Sequence, residues 1–369
     1  MNNKQTMSKM TALAMAATLA LAACGGGAGD SSSTPAAPAS GASGPSAPVT
    51  PTSGIALQTT VPAPTYAADS FQNAAFAIIN NYRSAMGVGM LKQDTVLDTS
   101  AQAHALYQFS NIKDGTLLGV DHTEIAGNAN YYGDTPLSRA QKAGAATSEW
   151  IAENVAQGGL KTTGAAAAAD CIRQLMNTVY HLAAMTGNQE SIGIGYSAGD
   201  VSAPFYTCVT DFGTSMGVVG SPATNSIPYA GGQIIPPGTV VHSPYANESS
   251  VAIAMNIEAP NPAPDLAAPG RPILVSVNAQ NGDALTVRAF TLVDSSGASV
   301  PARILVPASA QAGSTATTVA DPNSDLRNGN AVLLPLQPLK ANTTYTVAFA
   351  GARDGMAVTS TWDFTTAAN

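Results

Sequence analysis

Histidine is scarce in this chain of 369 residues, and three of its four copies, His104, His122 and His181, lie in one stretch. Carboxylates accompany them. Glu124 follows His122 by two positions, so an extended segment points both side chains to the same side. Glu153 sits between apolar Ile151 and Val155, where burying its charge costs several kcal/mol unless something compensates it. Imidazoles, protonated or bridged by a metal, are the available partners. Imidazole plus carboxylate is the ligand set for zinc and for general acid–base work. The same set also fits a satisfied polar cluster inside a cleft. The fourth histidine, His242, reads as an ordinary surface residue.

No other chemistry is spelled out. The chain has no G-x-S-x-G elbow, no H-E-x-x-H, no C-x-x-C and no P-loop. Gly193-Ile194-Gly195-Tyr196-Ser197-Ala198-Gly199 is one residue off a dinucleotide fingerprint but lacks the strand-turn-helix context. Its glycines are expected to allow close packing of a strand.

The elements that must position these side chains are mixed. Asp69-Ser70 can cap a helix whose apolar positions Phe71, Ala75, Ile78, Tyr82 and Met86 share a face, stopped by Gly87. A second helix is expected over 99–112, carrying His104. Thr135-Pro136 starts a short helix with proline in its first turn, and Gly144 ends it. A long helix is expected over 165–185, carrying His181. Ser191–Tyr196 and Phe205–Phe212 read as strands.

From Pro228 onward helix signals disappear. Val251–Ile257, Ile273–Val277, Leu285–Val293, Arg303–Val306, Ala331–Leu336, Tyr345–Ala350 and Thr359–Thr365 are apolar and β-branched runs between turn residues. About seven short strands is the expectation for a β-sandwich. The segment from Leu339 to Val347, closing with Trp362-Asp363-Phe364, resembles the last strands of bacterial Ig-like domains, which implies a spacer or interaction module.

The N-terminus carries an address. Lys4 and Lys9 precede an apolar run, Met10 to Ala23, that is too short for the ~20 residues needed to span a bilayer. It ends in Leu21-Ala22-Ala23-Cys24-Gly25, which resembles a bacterial lipobox, where the cysteine is acylated and becomes the new N-terminus. Gly25 resembles the pattern sorted to an outer membrane. With Cys24 given to lipid, Cys171 and Cys208 remain as one pair in a disulfide-permissive compartment, the alternative being two separate buried thiols. The next thirty residues are mostly Gly, Ser, Pro and Ala, with one charge and almost nothing that could enter a core, so they read as a tether.

Charge narrows the partners. Lys plus Arg is 15 and Asp plus Glu is 23. Without Lys4 and Lys9 the balance is 13 − 23 = −10. That is a poor match for nucleic acid, whose binding rests on cations neutralising phosphates.

The order of the short motifs has a family likeness. Asn80-Asn81-Tyr82-Arg83 with Gly87, Ala103-His104-Ala105, His122-Thr123-Glu124, and Gly133-Asp134-Thr135-Pro136 with Arg139 and Gly144 come first. Glu153-Asn154-Val155-Ala156, Tyr180-His181 and Ile192-Gly193-Ile194-Gly195 complete the series. Together they resemble the bacterial branch of the CAP superfamily, which includes cysteine-rich secretory proteins, venom allergens and plant pathogenesis-related proteins. The resemblance implies an α-β-α sandwich whose central cleft is lined by two histidines and acidic residues. Carried over, these are His122, Glu153 and His181, with Glu124 a looser fourth; His104 matches a helix-core position. Ala152, Leu182 and Ala145 stand where the family usually has glycine, arginine and an aromatic residue.

The expectation is an α+β chain. Residues 1–23 are a lipoprotein signal peptide, 24–66 a tether, 67–220 a CAP domain and 228–369 an all-β Ig-like sandwich. The resemblance implies an outer-membrane lipoprotein, facing periplasm or exterior and anchored through Cys24. It would be a binding module whose cleft holds zinc or another divalent cation, or whose grooves accept a lipid-like or other small-molecule ligand. The alternative is a metal-assisted peptide or ester hydrolase using Glu153 as general base.

Overall fold

The structure, a computed structural model, describes residues 54–280 and 282–368. The stretch expected as a signal peptide, Cys24 and most of the expected tether lie outside the described residues. The described end of the tether is not free of the fold: Ile55 bridges Gln233, and the Gln58 side chain donates to the carbonyls of Met90 and Glu190.

Helix α1 (Phe71–Met86) starts where the Ser70 hydroxyl accepts the Asn73 amide and stops at Gly87, whose φ of 84° suits a residue without Cβ. After the two-residue strand β1 (Lys92–Gln93), α2 (Thr95–Lys113) begins four residues earlier than the sequence suggests, because the Asp94 carboxylate caps Val96 and Leu97. Helix α3 (Pro136–Ala143) opens with a capping box between Thr135 and Ser138 and closes at Gly144. Strand β2 (Trp150–Gly159) follows. The expected long helix is two: α4 (Gly164–Met176) ends at Asn177, and α5 (Tyr180–Met185) starts afresh after a break at Asn177-Thr178-Val179. Strands β3 (Ser191–Ala198) and β4 (Phe205–Thr214) complete a sheet of order β1-β3-β4-β2, antiparallel except for β1 beside β3.

This sheet is the middle of three layers. Residues of β2 alternate: Ile151 packs with Leu97 and Ala140, and Val155 with Ala101 and Ala105, on the α2/α3 side. Ala152 and Ala156 enter the opposite cluster with α1 and α4. The glycines of β3 let α2 lie directly on the strand. A Cβ on Gly193 would come 2.0 Å from the Leu97 carbonyl carbon, and one on Gly195 2.1 Å from the Ala101 oxygen. A disulfide joins Cys171 on α4 to Cys208 on β4.

The remaining strands are β5 (Val241–Ser243), β6 (Glu248–Val251), β7 (Ile273–Ser276), β8 (Leu285–Asp294), β9 (Ala302–Val306), β10 (Thr318–Ala320), β11 (Asn330–Pro335), β12 (Thr344–Arg353) and β13 (Met356–Thr366). They form two sheets, β10-β9-β11-β7-β5 and β6-β13-β12-β8, with Val275, Leu333, Val347 and Phe364 among the side chains packed between them. The run 251–257, expected as one strand, leaves the sheet after Val251; Asn256 instead bonds Asn177 and Gln174 beside α4.

The central strands of the five-stranded sheet, β7 and β11, are buried on both faces. Leu274, Leu305, Val332 and Leu334 point away from the sandwich interior into the same apolar cluster as Tyr82, Met176 and Val179 of the first unit. Two-sided burial explains why 273–277 and 331–336 read as continuous apolar runs instead of alternating ones. His242 is not an ordinary surface residue: its ring stacks on Trp362 with centroids 3.7 Å apart, and burial lowers its pKa.

Candidate functional site

Glu153 is the centre of a buried polar network on the α2/α3 side of β2. Its Oε1 is 2.8 Å from His122 Nδ1 and 3.6 Å from His104 Nε2, and its Oε2 accepts from Arg139 Nη2 at 2.6 Å. Burial opposes its charge, but His104, Arg139 and His122 outweigh that and hold the carboxyl well below the usual carboxylate range. Arg139, placed by α3, also donates to the carbonyls of His122 and Gly133.

A second carboxylate locks the preceding loop. Glu124 Oε1 is 2.9 Å from His104 Nδ1, and Oε2 accepts the amides of Tyr132 and Gly133 at 2.6 and 3.2 Å. The other His104 nitrogen faces the Asp121 carbonyl at 2.9 Å. His104 is thus both a core residue of α2 and the hub between α2 and the loop that carries His122 and Glu124. The helix-core reading by itself was incomplete.

Asp211 was not visible as a site residue. It pairs directly across from Glu153 on β4, is fully buried, and neither carboxylate oxygen has a hydrogen-bond partner. Burial and the Glu153 charge push its carboxyl well above the ordinary value, so it holds its proton. The signal was only its position opposite Glu153, which strand register supplies and sequence does not.

His181 does not join this group. Asn154, one position beyond Glu153, points to the other face of the sheet, and its Nδ2 donates to the His181 carbonyl at 3.1 Å. The His181 ring instead sits against Thr178 Oγ1 and Glu258 Oε2, with Nδ1 3.1 Å from each. Glu258 comes from the C-terminal half. It also accepts the amides of Val179 and Tyr180 at 2.6 and 3.0 Å, capping α5, whose own N-cap Val179 has no side-chain acceptor. The sheet therefore separates the expected convergence of His122, Glu153 and His181 into two histidine–carboxylate pairs.

The donor set as arranged does not fit a zinc centre. Both oxygens of Glu124 and of Glu153 are already engaged by protein donors, which leaves His122, about one-third exposed, as the one ring reaching the surface. Among the described residues no group of three or more His, Cys, Asp or Glu side chains is placed to hold a metal ion.

Residues 71–214 form three layers of helix, sheet and helix, with a histidine–carboxylate network between the α2/α3 layer and the edge strand β2. Residues 76–210 match the family model described as CAP, the cysteine-rich secretory protein family, so the chain carries a CAP domain over that span. No curated protein matches the chain.

Proposed function

We propose that this chain is a membrane-anchored, extracytoplasmic binding module that takes an elongated, lipid-like ligand in a groove of its CAP domain. The observation that carries the reading is an open groove of about 740 Å³ between residues 65–72 and α2, walled mostly by apolar surface from Tyr66, Ala103, Leu106 and Ile194. That volume is in the range that holds drug-sized ligands. Leu106 is 42% exposed at its edge, a cost in water that an apolar ligand would remove. Acylation of Cys24 would hold the groove near a membrane, and the C-terminal sandwich, read as Ig-like, would hold it at a fixed attitude.

The hydrolase reading has less support. Glu153 has no solvent-facing oxygen to act as a base toward a substrate, and its ties suit holding His122 in place. The cation reading has only the exposed ring of His122 behind it.

The test is displacement of a fluorescent fatty acid from the full chain, with Leu106→Arg beside wild type. Saturable binding in wild type and about a tenfold weaker affinity in the variant are expected, the equivalent of one lost apolar side chain. No saturable binding, or equal binding in both, would remove the groove from the account. Cys24→Ala should release the protein from membranes.

A further inference from the structure

Four arginines penetrate the fold, and three have most of their donors or their charge met, although Arg139 Nε is also enclosed without a hydrogen bond among the described residues. Arg83 donates from all three nitrogens to the carbonyls of Gly89, Met185, Val88 and Gly187. Arg139 has Glu153. Arg271 donates to Pro272 O and Ser243 Oγ, and Glu248 supplies the negative charge nearby.

Arg327 is the exception. Nη1 donates to Asn188 Oδ1 at 3.0 Å and Nη2 to Pro228 O at 2.6 Å, while Nε is enclosed without a partner. Two bonds from a fork of five N–H donors leave three uncommitted. Among the described residues no carboxylate pairs with it. Burial pushes its pKa down to about 10, which leaves it cationic at neutral pH.

The guanidinium borders a cavity of about 50 Å³ where the CAP domain meets the turn after β7 and the turn before β11. Four asparagines line it: Asn188 accepts from Arg327, and each of the other three has its carbonyl oxygen in a hydrogen bond. Ser276 Oγ donates to Asn330, Gln280 Nε2 to Asn278, and Ser309 Oγ to Asn328. Among the described residues the NH₂ groups of these three have no protein acceptor, so they are free to donate to a ligand. A cation and three amide donors, with no facing acceptor charge, call for a ligand made of acceptors. Since a water needs about 10–15 Å³ of such space, the cavity holds a group of only a few heavy atoms.

We propose that this junction cavity binds a carboxylate, taken by the free edge of the Arg327 guanidinium and the asparagine amides. A planar fork matches a carboxylate through two parallel N–H···O bonds, which a point cation would not. The lining comes from both halves of the chain, so an occupied cavity would also tie them together.

The experiment is calorimetric titration of the full chain at pH 7 with acetate, glucuronate, phosphate and chloride at matched ionic strength, paired with thermal unfolding. Saturable acetate binding with a rise in Tm, absent with chloride, is expected. Added response to glucuronate would identify the carboxylate of a larger molecule entering by the mouth; acetate alone would identify a free small anion. Both support the site. Arg327→Gln should weaken binding at least tenfold, and Arg327→Lys should retain part of it. Equal responses to acetate and chloride, equal responses to acetate and phosphate, or undiminished binding in Arg327→Gln would overturn the assignment. Should Arg327→Gln fail to fold, Asn278→Leu decides: unchanged affinity there overturns the site, and weaker affinity with an unchanged circular dichroism spectrum upholds it.

Discussion

Glu153 and Glu258 are both buried glutamates that meet a histidine, yet they do opposite kinds of work. Glu153 is enclosed by elements of one domain, with Arg139 as a fixed cation and His104 and His122 beside it. Among the described residues Glu258 has no arginine. It reaches out of the C-terminal half to collect two backbone amides and the His181 ring. The first carboxylate pins a loop onto its own helices; the second joins two halves of the molecule. Residue type alone does not separate these roles, because both are a histidine and an acid in a dry place. What separates them is which face of β2 each pair occupies.

Three substitutions test that contrast. Glu153→Gln has the largest expected effect, a loss of about 3 kcal/mol in urea unfolding, because it removes the buried Arg139 guanidinium's 2.6 Å partner and leaves only Glu124 at 3.8 Å. The folded carboxyl lies below its unfolded value. Its contribution is therefore complete above an unfolded pKa of about 4.3 and fades as pH falls through and below it. Wild type and variant should accordingly converge in acid. A constant difference down to the lowest pH would mean that packing, and not charge, sets the cost.

Glu258→Gln should cost roughly 1.5–3 kcal/mol, the scale of hydrogen bonds to a charged group. Hydrogen exchange should quicken in α5 while α2 and α3 keep their protection. Matching losses in α2 and α3 would show that the two pairs act as one unit, and the contrast drawn above would fail.

Asp211→Asn should do the reverse of both and stabilise by about 1 kcal/mol at neutral pH, since the amide needs no proton to stay neutral. The wild-type carboxyl keeps its proton when folded and releases it when unfolded. Its stability disadvantage therefore grows as pH rises above the unfolded value of about 3.9. The gain should be small near pH 4 and largest at pH 7. Thermal unfolding at both pH values checks it, and a loss of stability at pH 7 would show that Asp211 is ionised.

Local signals in the sequence were dependable guides to local structure. Ser70, Gly87, Thr135-Pro136 and Gly144 mark helix ends through capping chemistry that acts within four residues. The disulfide was likewise legible, once one cysteine was set aside. The start of α2 was not, because Thr95 and Val96 are β-branched and disguise the cap supplied by Asp94. The break between α4 and α5 was hidden for a related reason: apolar spacing continues across Asn177-Thr178-Val179 although the backbone does not. Partners far apart in sequence were beyond reach. His181 finds Glu258 from 77 residues away, and Asp211 gains its meaning from a register with β2 that no spacing encodes.

The doubly covered strands have a consequence in time. Ribosomes deliver the CAP half first, complete with its helices, sheet and both cysteines of its disulfide. Around Tyr82, Met176 and Val179, however, it has an apolar face whose cover includes Leu274, Val332 and Leu334. Until β11 has been made, that face meets water or whatever else is at hand. The nascent chain thus spends the interval between residue 214 and residue 335 with a sticky side. A chain built this way reaches its final form unaggregated only if the later strands arrive, or other cover is found, before that face associates.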